Sequence, residues 1–345
     1  MNRLKVSRLN CAVKKLQKRL TRQKALILMY HRISEVNVDP WSLCVTPQHF
    51  SEQLEVLQHQ AHPMSLQTLV QLYQKGNLPQ RAVALTFDDG YADNLYDAKP
   101  LLERYGIPVT VFVTAGYVGC EQEFWWDELE QLLLQPGQLP EMLLLDINGH
   151  SCCWELGAAA SYRVEEAERA RHQPAWKSQP GSRLFFYYTI WQQLLPLAEV
   201  DRRTLLDQIR AWAQTKPTPR PTHRPLSQTE LMELAHSSLI EVGAHTLTHP
   251  FLSAQSINHQ QLEIQQSKAR LEALLNRPVM SFSYPFGNYA PETVTIAQEA
   301  GFECACSTAA DFVWQGSDRF ELPRIAVENW NGEEFKQQLE RWFND

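Results

Sequence analysis

An α/β fold of parallel strands is what this sequence predicts, and three observations carry the expectation. Seven short apolar runs recur along the 345 residues, and helical patterns with recognisable caps stand between most of them. The balance of 44% hydrophobic to 21% charged residues is that of a chain that folds around a core, which excludes disorder as the dominant state. Strand then helix, repeated, implies parallel strands in either a (β/α) barrel or a doubly wound sheet. Spacing alone does not choose between the two.

Residues 1–24 come first and hold Arg3, Lys5, Arg8, Lys14, Lys15, Lys18, Arg19, Arg22 and Lys24 with no acidic residue. Leu9, Val13, Leu16 and Leu20 recur at helical spacing. The segment is therefore expected as a basic amphipathic helix, either resting on an anionic membrane surface or simply solvated or packed. The formal charge of -7 splits into +9 here and -16 on the remainder. Residues 25–345 are expected as the main domain.

In that domain the strand-like runs are Ala25 to Tyr30, Val83 to Phe87, Pro108 to Val113, Leu239 to Ala244, Val279 to Tyr284, Phe302 to Ser307 and Leu322 to Val327. Between them, Thr46 before Pro47 opens a helix with Phe50, Leu54 and Leu57 on one face. Ser65 opens another that Gly76 closes, Ser227 and Glu230 read as a capping box, and Gly106 and Gly301 as helix stops. From about 120 to 225 the rhythm breaks. Trp125, Trp126, Trp154, Trp176, Trp191 and Trp212 crowd into this stretch, which ends in the Pro-rich 216–221. Too aromatic for a linker, it is expected as a helical insertion after the third strand, walling a substrate cleft.

Several functional classes drop out. No apolar run approaches the ~20 residues of a membrane helix, and no apolar core follows the N-terminal basic residues as in a secretory signal, so a cytoplasmic location is expected. Seven cysteines with no framework spacing read as free thiols. The negative main domain argues against a nucleic-acid partner.

The residues that carry chemistry sit at strand ends. Thr86-Phe87-Asp88-Asp89-Gly90 places two carboxylates side by side, pointing in different directions from an extended backbone. They can serve one centre, or simply cap the helix that follows. His245-Thr246-Leu247-Thr248-His249 has two histidines four apart, able to converge on one ion through a helical turn. Ser283-Tyr284-Pro285-Phe286-Gly287 reads as a loop presenting a backbone amide to a reacting oxygen, or as a plain turn. His31 follows the first run and Arg324 lies in the last. In a parallel barrel every strand's C-terminal end opens on one face, which would gather His31, Asp88, Asp89, His245, His249 and Phe286.

Together, the motifs Thr86–Gly90 and His245–His249 resemble those of the polysaccharide deacetylases, carbohydrate esterase family 4 or NodB-homology domain. The resemblance implies a distorted (β/α)7 barrel and a divalent metal, usually zinc, held by Asp89, His245 and His249, with Asp88 as general base. Tyr284 and Phe286 would bind substrate, Phe286 through an amide stabilising the oxyanion. Two departures follow. The position of the usual arginine is Ser283, which makes Arg324 the candidate replacement, and no Leu-x-His stands near the C-terminus. Leu28-Met29-Tyr30-His31 is similar to the circularly permuted order of biofilm exopolysaccharide deacetylases and makes His31 the candidate general acid. The expected substrate is an acetylated glycan of the N-acetylglucosamine type. O-acetyl ester hydrolysis, or saccharide binding without catalysis, are the alternatives.

Overall fold

The computed structural model describes residues 24–215 and 218–344. Residues 1–23, on which the amphipathic-helix expectation falls, lie outside the described residues.

All seven expected strands form. They are β1 (Lys24–Tyr30), β2 (Ala82–Phe87), β3 (Val109–Val113), β4 (Ile240–Ala244), β5 (Ser281–Ser283), β6 (Cys304–Cys306) and β7 (Ile325–Ala326). Each pairs in parallel with its sequential neighbour from β1 to β6, for example Leu28 with Leu85, Phe87 with Val111 and Ala244 with Phe282. The last segment links the two ends of this order. Leu322 bridges Cys306 of β6, and Ile325 pairs with Leu28 of β1. The choice that spacing left open is thus a distorted barrel.

Alternation along the strands separates two apolar layers. Val83, Leu85 and Phe87 face outward into the larger cluster, with Phe50, Leu54 and Leu57 of the helix Pro47–Gln60 and Ile264 and Leu271 of the helix Ile257–Leu275. Ala82 and Ala84 turn the other way and meet Ala25, Ile27, Phe112 and Cys306. Period two carries that inward face on through Thr86 to Asp88, so one carboxylate ends inside the barrel mouth. Fully burying an outward residue such as Leu85 is worth roughly 1.5–3 kcal/mol.

The predicted caps are in place. Thr46 accepts from the His49 amide, Ser65 from that of Thr68, and Ser227 and Glu230 close a reciprocal box. Gly76 and Gly106 end their helices in the left-handed conformation. The aspartate pair caps nothing: the helix Lys99–Tyr105 starts later, after a wide turn over Asn94–Ala98.

Between β3 and β4 stand the expected helices, among them Trp125–Leu133, Arg183–Leu194 and Glu199–Ala213, around a second apolar cluster that includes Trp125, Tyr187 and Ile209. This stretch also carries an antiparallel hairpin, Met142–Ile147 with His150–Glu155. Its turn is Asn148-Gly149, both with positive φ, a strong hairpin signal that the leucine-rich strand obscured. Among the described residues Cys44, Cys120, Cys152, Cys153, Cys304 and Cys306 are free thiols, and no helix is long and apolar enough to cross a membrane.

Candidate functional site

Asp88 and Asp89 follow β2 and diverge as adjacent residues should. Asp88 continues the strand inward; Asp89 adopts φ +74° and turns toward the histidines. Gly90 then takes φ +82°, where an added Cβ would press on Val113.

Asp88 is buried and meets Arg324, itself fully buried. Nη1 and Nη2 of Arg324 donate to the two carboxylate oxygens at 2.7 Å each. The guanidinium also donates to Thr86 Oγ1, Ser283 Oγ and the Ser307 carbonyl, so the fork has one orientation. Burial alone would push the Asp88 carboxyl up; Arg324 and His245 outweigh it and hold it well below the usual carboxylate range. Ser283 is small enough to let Arg324 in from the opposite end of the sequence and hydrogen-bonds it at 2.8 Å.

His245 follows β4, and its Nδ1 lies 2.8 Å from the Ser283 carbonyl. Donation there leaves Nε2 a lone pair, and burial pushes the ring's pKa down to about 4, so it is neutral at neutral pH. His245 Nε2 stands 3.1 Å from His249 Nε2, and Asp89 Oδ1 lies 3.6 and 3.3 Å from the two. Buried ligand atoms of one carboxylate and two imidazoles all lie within 4.8 Å of one another, a donor set that fits a divalent cation. The His249 Nδ1 is buried without a hydrogen-bond partner.

The histidines do not converge through a helical turn. Thr246 and His249 both have positive φ, at +61° and +57°, and Thr246 Oγ1 accepts from the His249 amide. Such a conformation is costly for a β-branched residue and persists only where the surroundings enforce it. Glu263, buried on the helix Ile257–Leu275, supplies that enforcement. Its carboxylate accepts from the Leu247 and Thr248 amides and from the Thr248 hydroxyl, at 2.7–2.9 Å. Sequence reading missed Glu263; an acid on the apolar face of a helix was the available signal.

His31 follows β1 at the same mouth, half-buried, close enough for its charge to pull down both aspartate carboxyls. Phe286 takes φ +56°, and its ring packs on His249 with centroids 4.5 Å apart. Trp126 of the insertion also packs on the His249 ring, with centroids 4.8 Å apart. Tyr284 is the exception. Its ring belongs to the apolar layer between the barrel and the helices and its hydroxyl donates to the Phe320 carbonyl, because the residue falls on the outward face of β5's extension.

The sequence model of a family described as polysaccharide deacetylase matches residues 75–153 and 208–305. A poly-beta-1,6-N-acetyl-D-glucosamine N-deacetylase of Staphylococcus epidermidis is 32% identical over 171 residues, 44% of this chain and 56% of its own. Across the curated relatives it matches first, this chain spans only 38% to 56% of their length. Among solved structures, IcaB from Ammonifex degensii superposes with a TM-score of 0.56 at 18% identity, covering 94% of this chain and 98% of that one. The Streptococcus pyogenes deacetylase PplD, solved in complex with acetate, gives 0.53 at 18%, over 92% and 99%. At these identities the structures establish the fold.

Proposed function

We propose, from the premise that this chain belongs to the polysaccharide deacetylase family, that it hydrolyses N-acetyl groups of an N-acetylglucosamine-type glycan, releasing acetate and leaving a free amine. The observation that carries the reading is the pairing of Asp88 with Arg324 beside the convergent set Asp89, His245 and His249. The Staphylococcus epidermidis relative's named substrate and the acetate in the PplD structure point the same way.

Asp89, His245 and His249 would hold a divalent cation, zinc being the expected one for a carboxylate and two imidazoles. When bound, such an ion supplies Lewis acidity to the acetyl carbonyl and acidifies water. Asp88 accepts a proton from the attacking water. Arg324 keeps that carboxylate ionised and fixed in orientation, since its fork occupies both oxygens from the side of the barrel interior. The Phe286 amide donates to the oxygen that becomes negative as the carbonyl carbon turns tetrahedral. His31 gives its proton to the departing nitrogen, because an amine leaves only once protonated. The C–N bond breaks as the oxyanion collapses back to a carbonyl, giving acetate and the free amine. Packing of Trp126 and Phe286 around His249 keeps bulk water from that side.

For location, the reading is a cytoplasmic protein that touches the anionic inner membrane surface through residues 1–24, whose +9 charge contrasts with the rest. The main test is acetate release from N-acetylglucosamine oligomers and from an O-acetylated glycan, with and without chelator. Release from the amide substrate, lost on chelation and restored by zinc, is expected. Release insensitive to chelation and to Asp88→Asn defeats the reading.

A further inference from the structure

Residues 154–207 fall between the two stretches that the family's sequence model matches, and they carry Trp176 and Trp191. A line of aromatic rings leads through them away from the site. Phe286, on His249, meets Trp191 at 5.9 Å between centroids; Trp191 meets Trp41 at 4.2 Å; Trp41 meets Trp176 at 6.1 Å in a stacked arrangement. Trp176 ends the line and is 50% exposed, whereas Trp125 and Trp126 at the inner end of the insertion are buried.

The outer rings are held in advance of any ligand. The Ala175 amide donates to the Pro40 carbonyl at 2.8 Å and the Asp39 amide to the Arg171 carbonyl at 3.2 Å, which splices the Trp176 turn to the Trp41 segment. Asp39 accepts from the Leu43 and Cys44 amides, and Trp41 Nε1 donates to the Tyr187 hydroxyl at 2.6 Å. That Trp41 segment leaves the C-terminal end of β1 directly after His31, so it starts at the reacting end of the molecule. A rigid platform loses little entropy on binding.

We infer that Trp176, backed by Trp41, is a distal saccharide subsite that stacks against a pyranose ring of the acetylated chain some units away from the one being hydrolysed. The inference rests on the deacetylase reading for the identity of the chain. A pyranose presents a C–H face and a hydroxyl edge. An isolated indole face with exposed polar neighbours such as His172, Lys177 and Gln179 matches that pattern, whereas an acyl chain needs a continuous apolar surface. The subsite makes the enzyme one that reads chain length.

The test uses the full chain with N-acetylglucosamine oligomers of graded length, β-1,4- and β-1,6-linked, comparing wild type, Trp176→Ala and Trp176→Phe. In the wild type kcat/KM rises with length. In Trp176→Ala the ratio of the hexamer's kcat/KM to the dimer's falls about three- to tenfold, and Trp176→Phe restores most of it. An unchanged ratio in Trp176→Ala overturns the subsite. If no oligomer releases acetate, the deacetylase reading itself has failed. Calorimetric binding of the hexamer then decides the subsite: weaker binding to Trp176→Ala supports it, and equal or no binding overturns it.

Discussion

Arg324 and Asp88, 236 residues apart, form a two-pronged ion pair inside the barrel mouth with both charges buried. Replacing Arg324 by Met leaves the Asp88 charge without its partner, at a cost of about 3–5 kcal/mol. Arg324→Lys keeps a cation but not the fork. Acetate-release kinetics should show kcat falling at least about 100-fold in the lysine variant, with bound metal, read by elemental analysis, unchanged. Loss of metal instead would make the pair part of the metal's support rather than of the base.

Glu263 holds the loop of the two histidines through three hydrogen bonds. Glu263→Ala should weaken metal binding about 10- to 100-fold while all three ligands remain. Titration of the metal-free protein with zinc measures this. Full affinity in the variant would show that the strained loop sustains itself.

His31 lies at the mouth but outside the convergent ligand set. His31→Ala should lose turnover by about 100- to 10,000-fold with stoichiometric metal retained. An ester substrate, whose leaving group needs less protonation, should suffer less than an amide.

Asp127, on the helix beside Trp126, donates nothing to the site; its half-buried carboxylate accepts from the Tyr91 hydroxyl at 2.7 Å. Burial, opposed by Arg32, Tyr91 and Arg220, pushes its pKa from 3.8 up to about 7. The folded protein therefore keeps a proton that the unfolded chain releases, and stability falls as pH rises through that window. Denaturant midpoints of Asp127→Asn should gain on those of the wild type between pH 4 and about pH 7. A constant difference would assign the titration elsewhere.

Deletion of residues 1–24 should abolish binding to vesicles of anionic lipid and leave acetate release intact. Lipid binding that survives the deletion removes the membrane role of that segment.

The seven strands, the helix caps and the grouping of Asp88, Asp89, His245 and His249 were legible in the sequence because each depends on local pattern: alternating burial, an oxygen at a cap, donors at strand ends that parallel topology brings together. The hairpin at Asn148-Gly149 was equally local and was masked by its leucines. What only tertiary structure decided is contact across sequence distance. That Arg324 threads past Ser283 to reach Asp88, that Glu263 tightens a loop some fifteen residues before it, and that Tyr284 turns into the core depend on strand register and barrel curvature. The line of rings from His249 to Trp176 depends on how the insertion folds back over β1's loop, a packing that no periodicity within the chain encodes.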